Sequence, residues 1–260
     1  MHPETAAEPA DAAVPGVDLA AAAGAEPGVL LTTQLPCGEL TVRLMRESDL
    51  RGAALMLTRA FAGTPEAVSF DESTEFMAEQ LRRPELGVTL VARLVPTDPS
   101  LLPKGQPSRV VGTLGLAFDL EDASSRDGLA ALRRLPATAC YLSNMAVDPK
   151  LRRRGVAAAM LRACDAAAAA APRAGGGGGG GGGADDSGGG GDGGGGGGRS
   201  EVYLHVREGD AAARALYSGA GFEEVERDAG GGGGGGGVFG LGFGAPPRRP
   251  RVLMRRRVQA

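Results

Sequence analysis

The sequence predicts one α/β (α+β) domain, built on a single mixed and mostly antiparallel sheet with flanking helices. A length of 260 residues suits one domain. Of the 45 glycines, 27 lie in two runs, at 175–198 and 230–237, so the rest of the chain keeps enough ordinary sequence for one buried core. The predicted elements follow the order β-α-α-β-β-β-α-β-α-β-β, which is typical of one sheet with helices on its faces.

Residues 1–39 are predicted to be a disordered N-terminal segment, ahead of a domain over residues 40–258. The segment is rich in Ala, Pro, Asp and Glu and has no periodic apolar face. It also holds no Lys or Arg, since the first of these in the chain is Arg43. Because transit peptides are basic and poor in acids, this composition argues against import into an organelle.

The first half of the domain is predicted to hold three strands and two helices. Ser48-Asp49 offers an N-cap for the first helix, and Pro84 ends the second. The predicted elements are a strand Leu40–Met45, a helix Leu50–Phe61, a helix through Phe76–Leu81, and strands Val88–Leu94 and Arg109–Asp119, which pair as a hairpin across a Pro-rich loop.

The second half is predicted to alternate strands and helices around two unstructured inserts. Residues 120–138 are predicted to be irregular, with one short helix at Leu129–Leu135. A stretch with 19 glycines in 24 residues cannot offset its ordering entropy, so the runs at 175–198 and 230–237 are predicted inserts. The remaining predicted elements are strand Ala139–Val147, helix Val156–Ala171, strand Glu201–Arg207, helix Ala211–Ala220, and strands Phe222–Arg227 and Arg251–Val258.

The composition excludes several classes of function. A net charge of −3 gives no general attraction to nucleic acid, and no apolar run is long enough to span a membrane. Three cysteines without a CxxC pair and two histidines do not suggest a metal site. Cys140 and Cys164 are predicted to pack in the core. The arginines within 248–257 indicate a solvated edge strand, with a nucleic-acid or acidic partner as the alternative.

Residues 141–157 carry the clearest binding pattern in the chain. A strand ends there, a proline turns the chain, and Arg152, Arg153 and Arg154 lead into a helix that opens at Gly155. The first turn of a helix has free N–H groups and a positive dipole end, and glycine allows an anion to approach closely. The pattern predicts a phosphate-binding loop, with an ordinary solvated turn as the alternative.

This loop resembles the (R/Q)xxGx(G/A) signature of the GNAT superfamily of acetyltransferases. The match runs from Arg152 through Gly155 to Ala157, and the preceding Met145-Ala-Val147 resembles the family's strand that pairs with the pantetheine arm of acetyl-CoA. The resemblance implies a GNAT-like fold and acetyl-CoA as cosubstrate. The implied cofactor-binding residues are Met145, Ala146, Val147, Arg152, Arg153, Arg154, Gly155, Val156, Ala157, Ala158 and, from a second motif, Asp210.

The second motif lies at residues 210–222 and resembles N-x-x-A-x-x-L-Y-x-x-x-G-F of the same family. Every marked position matches except the first, where Asp210 replaces Asn. Asp210 can cap the helix, but its charge disfavours a contact with the cofactor phosphates. Tyr217 occupies the position where the family places a tyrosine near the thioester sulfur. The resemblance therefore implies that Tyr217 protonates the leaving thiolate.

His205 is the candidate general base. It lies five residues before Asp210, where some family members that acetylate protein N-termini place a glutamate. An imidazole with a pKa of about 6.5 suits proton removal near neutral pH. A water chain, Glu208 and Asp119 are the alternatives.

The resemblance implies direct transfer of an acetyl group to a primary amine, either a protein N-terminal α-amine or a lysine side chain, without a metal. A small-molecule amine acetyltransferase and a non-catalytic acyl-CoA-binding regulatory module are the alternatives. The implied partner is a protein or peptide amine substrate, with no nucleic acid and no membrane span. Residues 201–222 and the strand 251–257 also resemble plant and algal plastid members of the family. That likeness implies a chloroplast location, whereas the acidic N-terminus argues against import. The cytoplasm is the alternative.

Overall fold

A computed structural model describes residues 26–64, 67–102, 105–127, 130–171, 199–228 and 250–258. The predictions made for residues 1–25 and for both polyglycine runs lie outside this range. In the described part, no helix is long and apolar enough to cross a membrane.

Eight strands of the described residues form one mixed sheet, which confirms the predicted fold class. Their order across the sheet is β1-β2-β3-β4-β5-β6-β8-β7, and every neighbouring pair is antiparallel except β5 and β6, which are parallel. The strands are β1 Val29–Leu35, β2 Gly38–Leu44, β3 Gly87–Pro96, β4 Arg109–Ala117, β5 Ala139–Val147, β6 Glu201–Arg207, β7 Glu223–Asp228 and β8 Arg251–Arg257.

Strand β1 corrects the prediction that residues 1–39 are disordered. It pairs antiparallel with β2 over a two-residue turn, and Leu30, Leu31 and Leu35 pack against the main core. Its sequence, Val-Leu-Leu-Thr-Thr-Gln-Leu, lacks the strict apolar–polar alternation that marks a strand. Pairing with β2 and contact with the core therefore decide its structure, and neither is visible in the local pattern.

Strand β8 corrects a second prediction. The arginine-rich segment at residues 251–257 was expected to be a solvated edge strand, but β8 lies between β6 and β7. Its Arg256 is only 7% exposed. Because a buried charge is costly unless it is paired, this guanidinium needs partners inside the protein.

In the part of the chain that the structure describes, five α-helices accompany the sheet. A capping box between Ser69 and Glu72 starts α2. The region 120–138 is more regular than predicted, because Asp119 accepts hydrogen bonds from the N–H groups of Glu121 and Asp122 and starts a helix there. A 3₁₀ turn, Ala130–Arg134, replaces the predicted short helix. The α-helices are α1 Leu50–Phe61, α2 Phe70–Arg82, α3 Leu120–Asp127, α4 Val156–Ala169 and α5 Ala211–Gly219.

The helices divide between the two faces of the sheet. Helix α4 and the apolar side of α5 pack on one face, here called the first face, in the largest core cluster. Helices α1 and α2 pack around Val91 and Ala146, and α3 packs around Tyr141 and Tyr203. Since side chains alternate along a strand, these last residues lie on the opposite face, here called the second face.

The first polyglycine run departs from and returns to a single place on the fold. The backbone N–H of Arg199 donates to the carbonyl of Ala168 at the end of α4, at 3.0 Å. The guanidinium of Arg199 is buried and donates to the carbonyl of Ala139, at 3.2 Å. These bonds fix the start of β6 beside the start of β5, whatever conformation the intervening residues adopt.

Candidate active site

Strands β5 and β6 separate partway along their length. Their parallel pairing covers Ala139–Leu142 and Glu201–Leu204, and both strands then continue, to Val147 and Arg207. Within the described residues, positions 143–147 of β5 therefore have a strand neighbour, β4, on one side only. We call the opening between the two strands the split.

The open edge of β5 is shaped by a bulge. Asn144 has a φ of 52°, and the register with β4 shifts between Thr113 and Gly115. A bulge re-aims the backbone groups that follow it. Beyond it lie Met145, Ala146 and Val147, which were predicted to bind the cofactor. Their unpaired edge can form backbone hydrogen bonds with an extended ligand.

The predicted phosphate loop lies directly after β5. Gly155 is the N-cap of α4 and has a φ of 89°, in the left-handed region that favours glycine. The first bond inside the helix runs from the N–H of Ala159 to the carbonyl of Gly155, at 3.0 Å, so the N–H groups of residues 156–158 precede it. The side chains of Arg152, Arg153 and Arg154 are exposed. The loop therefore combines unpaired donors, the positive end of a helix of 14 residues and three cations.

Within this loop the predicted residues differ in what they present. Val156 is 1% exposed, so its side chain packs in the core, and only its backbone N–H faces the helix end. Ala158 is exposed and Ala157 is half-buried. An ion pair between Arg109 and Asp148 fixes the turn that precedes the loop.

Tyr217 lies on α5 and reaches across the split. Its hydroxyl donates to the sulfur of Met145 on β5, at 3.8 Å, and its ring packs edge-on against Phe222. Burial, with a smaller contribution from the negative charge of Asp210, raises the pKa of Tyr217 to about 12. The phenol is therefore protonated at neutral pH, so it can donate a proton but not accept one.

Asp210 is the N-cap of α5. Its carboxylate accepts a hydrogen bond from the N–H of Ala213, at 2.9 Å. The sequence predicted this capping role. The same geometry engages one carboxylate oxygen with the helix end rather than with the split.

His205 lies on β6 with its side chain on the second face, since its neighbours Leu204 and Val206 belong to the first-face core. Its Nδ1 lies 3.1 Å from the hydroxyl of Tyr141 on β5. The two rings are tilted, with centroids 5.7 Å apart. The structure thus places the predicted acid, Tyr217, and the predicted base on opposite faces of the sheet at the split.

Tyr141 is a site residue that the sequence reasoning missed. It lies opposite Tyr203 in the parallel register of β5 and β6, on the same face as His205. Its position follows from that register, because His205 is two residues beyond Tyr203 and shares its orientation. A predicted pairing of β5 with β6 would have been enough to bring Tyr141 and His205 together.

The alternative bases are engaged elsewhere. The carboxylate of Asp119 accepts the two N–H groups that start α3. Glu208 is half-buried and accepts from Arg227, at 3.4 Å. Of the predicted bases, His205 is therefore the one that lies at the second face of the split, beside Tyr141.

Cys140 and Cys164 do not contribute a nucleophile to the site. Cys140 and Cys164 are fully buried and free, as predicted for core residues. Burial raises the pKa of Cys140 to about 12 and raises that of Cys164 further. Both are therefore thiols at neutral pH, and a thiolate is the reactive form.

Part of the chain matches one family model, and several solved structures resemble the chain. The family model described as acetyltransferase (GNAT) domain matches residues 108–224. The chain is similar to the solved structure of Arabidopsis thaliana NAA60 in complex with a bisubstrate analogue, at 17% identity and a TM-score of 0.51, covering 85% of this chain and 99% of that one. A search of curated proteins finds no match.

Two further solved structures are similar to the chain. The ribosomal-protein-S18-alanine N-acetyltransferase from Escherichia coli is 16% identical, with a TM-score of 0.46, covering 85% of this chain and 95% of that one. A putative acetyltransferase from Salmonella typhimurium, solved with its cofactor acetyl-CoA, is 13% identical, with a TM-score of 0.48, covering 85% of this chain and 94% of that one.

Proposed function

We propose that this chain transfers the acetyl group of acetyl-CoA to the α-amine of protein N-termini, with lysine side chains as slower acceptors. The match of residues 108–224 to the acetyltransferase (GNAT) domain supports acetyl-CoA as the donor. The observation that carries the proposal is the placement of Tyr217 on one face of the split and the Tyr141–His205 pair on the other. In this proposal Tyr217 is the proton donor and His205 is the proton acceptor, one on each face beside the open edge of β5.

The cofactor is proposed to bind along the split. Its pyrophosphate would accept hydrogen bonds from the backbone N–H groups of residues 156–158 and form ion pairs with Arg152, Arg153 and Arg154. Its pantetheine arm would add to the open edge of β5 like a short strand. Backbone N–H groups near residues 145–147 would then lie beside the thioester oxygen and stabilise its developing charge.

The reaction is proposed to be a direct transfer. The amine nitrogen attacks the thioester carbon, its proton passes to His205, and the carbon–sulfur bond breaks as the tetrahedral intermediate collapses. The departing sulfur takes the phenolic proton of Tyr217, which lies beside Met145 on the cofactor strand. Tyr141 orients the imidazole through Nδ1, at 3.1 Å, so that Nε2 can face the acceptor.

The preference for an α-amine rests on pKa values. An α-amine with a pKa near 7.7–8.0 costs about 1 kcal/mol to deprotonate at pH 7, whereas a lysine near 10.4 costs about 5 kcal/mol. An imidazole near 6.5 is a weak base, so it serves the first acceptor better than the second. The Tyr141–His205 pair thus supports protein N-termini as the main substrate.

A matched acceptor panel tests this proposal. One peptide has a free N-terminus and no lysine, a second has a blocked N-terminus and one lysine, and the third acceptor is a polyamine. We expect α-amine acetylation, scored by mass spectrometry, to be at least about tenfold faster than lysine acetylation at pH 7, with the ratio falling as the pH rises. Transfer to the polyamine alone would support a small-molecule enzyme. Binding of acetyl-CoA without any transfer would support a regulatory module.

A further inference from the structure

Arg256 on β8 is a buried cation on the first face of the sheet, 7% exposed, between α4 and α5. These helices carry the two halves of the candidate site, since α4 opens at the phosphate loop and α5 bears Tyr217. The direct catalytic geometry described above does not use Arg256. Its contacts nevertheless join both halves.

On one side, the guanidinium of Arg256 binds α4. It donates to the carbonyl of Leu161 at 2.9 Å and to the carboxylate of Asp165, one turn later, at 2.5 Å. Burial raises the pKa of Asp165, while the charge of Arg256 opposes that effect. The charge of Arg256 therefore favours the ionised form of Asp165.

On the other side, Arg256 holds the end of α5. It donates to the carbonyl of Ala220, the C-cap, at 2.9 Å, and its guanidinium carbon lies 4.7 Å from the centroid of the Phe222 ring. The same Phe222 ring contacts the Tyr217 ring at a centroid distance of 5.7 Å, and the N–H of Phe222 donates to the carbonyl of Tyr217, at 3.0 Å. A continuous series of contacts therefore leads from α4 through Arg256 and Phe222 to Tyr217.

We propose that Arg256 is a positioning residue that sets the place of the Tyr217 hydroxyl in the split by fixing Phe222 and the end of α5 to α4. This inference rests on the proposed role of Tyr217 as proton donor. The guanidinium reaches Ala220 with one nitrogen and Leu161 and Asp165 with the other, while its central carbon lies over the Phe222 ring. A lysine ammonium carries all its donors on one nitrogen, so it cannot span both helices in the same way. A buried ion pair contributes little net stability compared with apolar packing, so stability alone does not account for a charge here.

The test uses Arg256→Lys, which keeps the charge beside Asp165 but not the full set of contacts. Its matched control is Arg257→Lys, the exposed neighbour on the same strand. We expect Arg256→Lys to lower kcat about three- to tenfold, with KM for acetyl-CoA changed less than about twofold, because only the placement of the hydroxyl alters. Arg257→Lys should leave both constants unchanged. A loss confined to KM in Arg256→Lys would overturn the proposal.

A double-mutant cycle separates positioning from general destabilisation. If Arg256 acts through the Tyr217 hydroxyl, Arg256→Lys should change kcat less than about twofold when Tyr217 is already phenylalanine. An equal loss in both backgrounds would refute the inference. If Tyr217→Phe alone has no effect in the native chain, the proposed donor role fails, and that outcome is distinct from a failure of the cycle.

A spectroscopic readout does not depend on activity. The chain has three tyrosines and no tryptophan, and two of the tyrosines, Tyr141 and Tyr203, lie on the second face. With ring-labelled tyrosine, NMR should show that Arg256→Lys shifts the Tyr217 resonances and leaves the other two in place, while Arg257→Lys shifts none. A Tyr217 signal unmoved in Arg256→Lys, or equal shifts of all three, would overturn the proposal. If Arg256→Lys does not fold, Phe222→Leu breaks the same series of contacts and should give the same selective result.

Discussion

Replacing Tyr217 with phenylalanine isolates the proton donor from the rest of the site. The hydroxyl makes one weak contact, with the sulfur of Met145 at 3.8 Å, while the ring packs against Phe222. Tyr217→Phe keeps that packing, so the free energy of unfolding should change by less than about 1 kcal/mol. The affinity for acetyl-CoA should likewise be almost unchanged, because no phosphate contact is removed.

The expected loss of rate follows from the loss of the general acid. Burial raises the pKa of Tyr217 to about 12, so the phenol holds its proton until the sulfur departs. Without the phenol, the sulfur must leave as a thiolate or take its proton from water. Because a positioned general acid contributes about 10²–10⁴-fold to a rate, Tyr217→Phe should lower kcat by about that factor.

The assay measures kcat for an α-amine peptide at saturating acetyl-CoA, with a pre-steady-state burst experiment to verify that chemistry limits the rate. Tyr203→Phe is the matched control, since its phenol binds Glu201 on the other face, at 3.1 Å. It should leave kcat unchanged. Because the raised pKa keeps Tyr217 protonated below about pH 11, the native enzyme should show no loss of kcat between pH 7 and pH 10 from this group. Full turnover by Tyr217→Phe under chemistry-limited conditions would refute the donor assignment.

Three further predictions concern the cofactor, the insert and the base. Reversing the charge of Arg152 and Arg154 together should weaken the binding of CoA, measured by calorimetry, at least about tenfold and leave the binding of dephosphorylated pantetheine unaffected. Equal losses of affinity for both ligands would contradict a phosphate role. A variant that lacks residues 175–198 and has a short linker in their place should keep kcat, and its Tm should shift by no more than a few degrees. The reason is that the described residues before and after the insert are joined by the bond from Arg199 to Ala168. A large fall in Tm would show that the run is structured. His205→Gln should lower kcat/KM most at pH 7 and least at pH 9, because a higher pH supplies the neutral amine, and an unchanged pH–rate profile would direct attention to a water chain instead.

The fold was predictable where local pattern and turn chemistry agree. The helix at Val156–Ala169 and the strand at Ala139–Val147 have strong periodicity and clear boundaries, and both lie where expected. Strand β1 and helix α3 were missed for different reasons. Strand β1 has no alternation of its own, and α3 is a short polar segment that is stabilised by its cap at Asp119 and by Ala123 packed on the second face.

The candidate site was predictable as two motifs but not as a three-dimensional arrangement. Motif matching selected Tyr217, whose hydroxyl contacts Met145 across the split, and Gly155, which is the N-cap of α4. It could not reveal Tyr141, whose role depends on the register between β5 and β6. Nor could it distinguish Arg256 from the exposed Arg257, because the difference lies in carbonyl groups of α4 that the sequence does not place.

The inner position of β8 has a consequence for synthesis of the protein. Strand β8 is made after β7, yet it lies between β6 and β7. Until β8 leaves the ribosome, β6 and β7 expose the edges that will later face it, and unpaired edges of a nascent chain are sites of aggregation. The guanidinium of Arg256 arrives with β8, so α5 is joined to α4 only at this late step. The acid side of the split should therefore be completed only when β8 has inserted between β6 and β7.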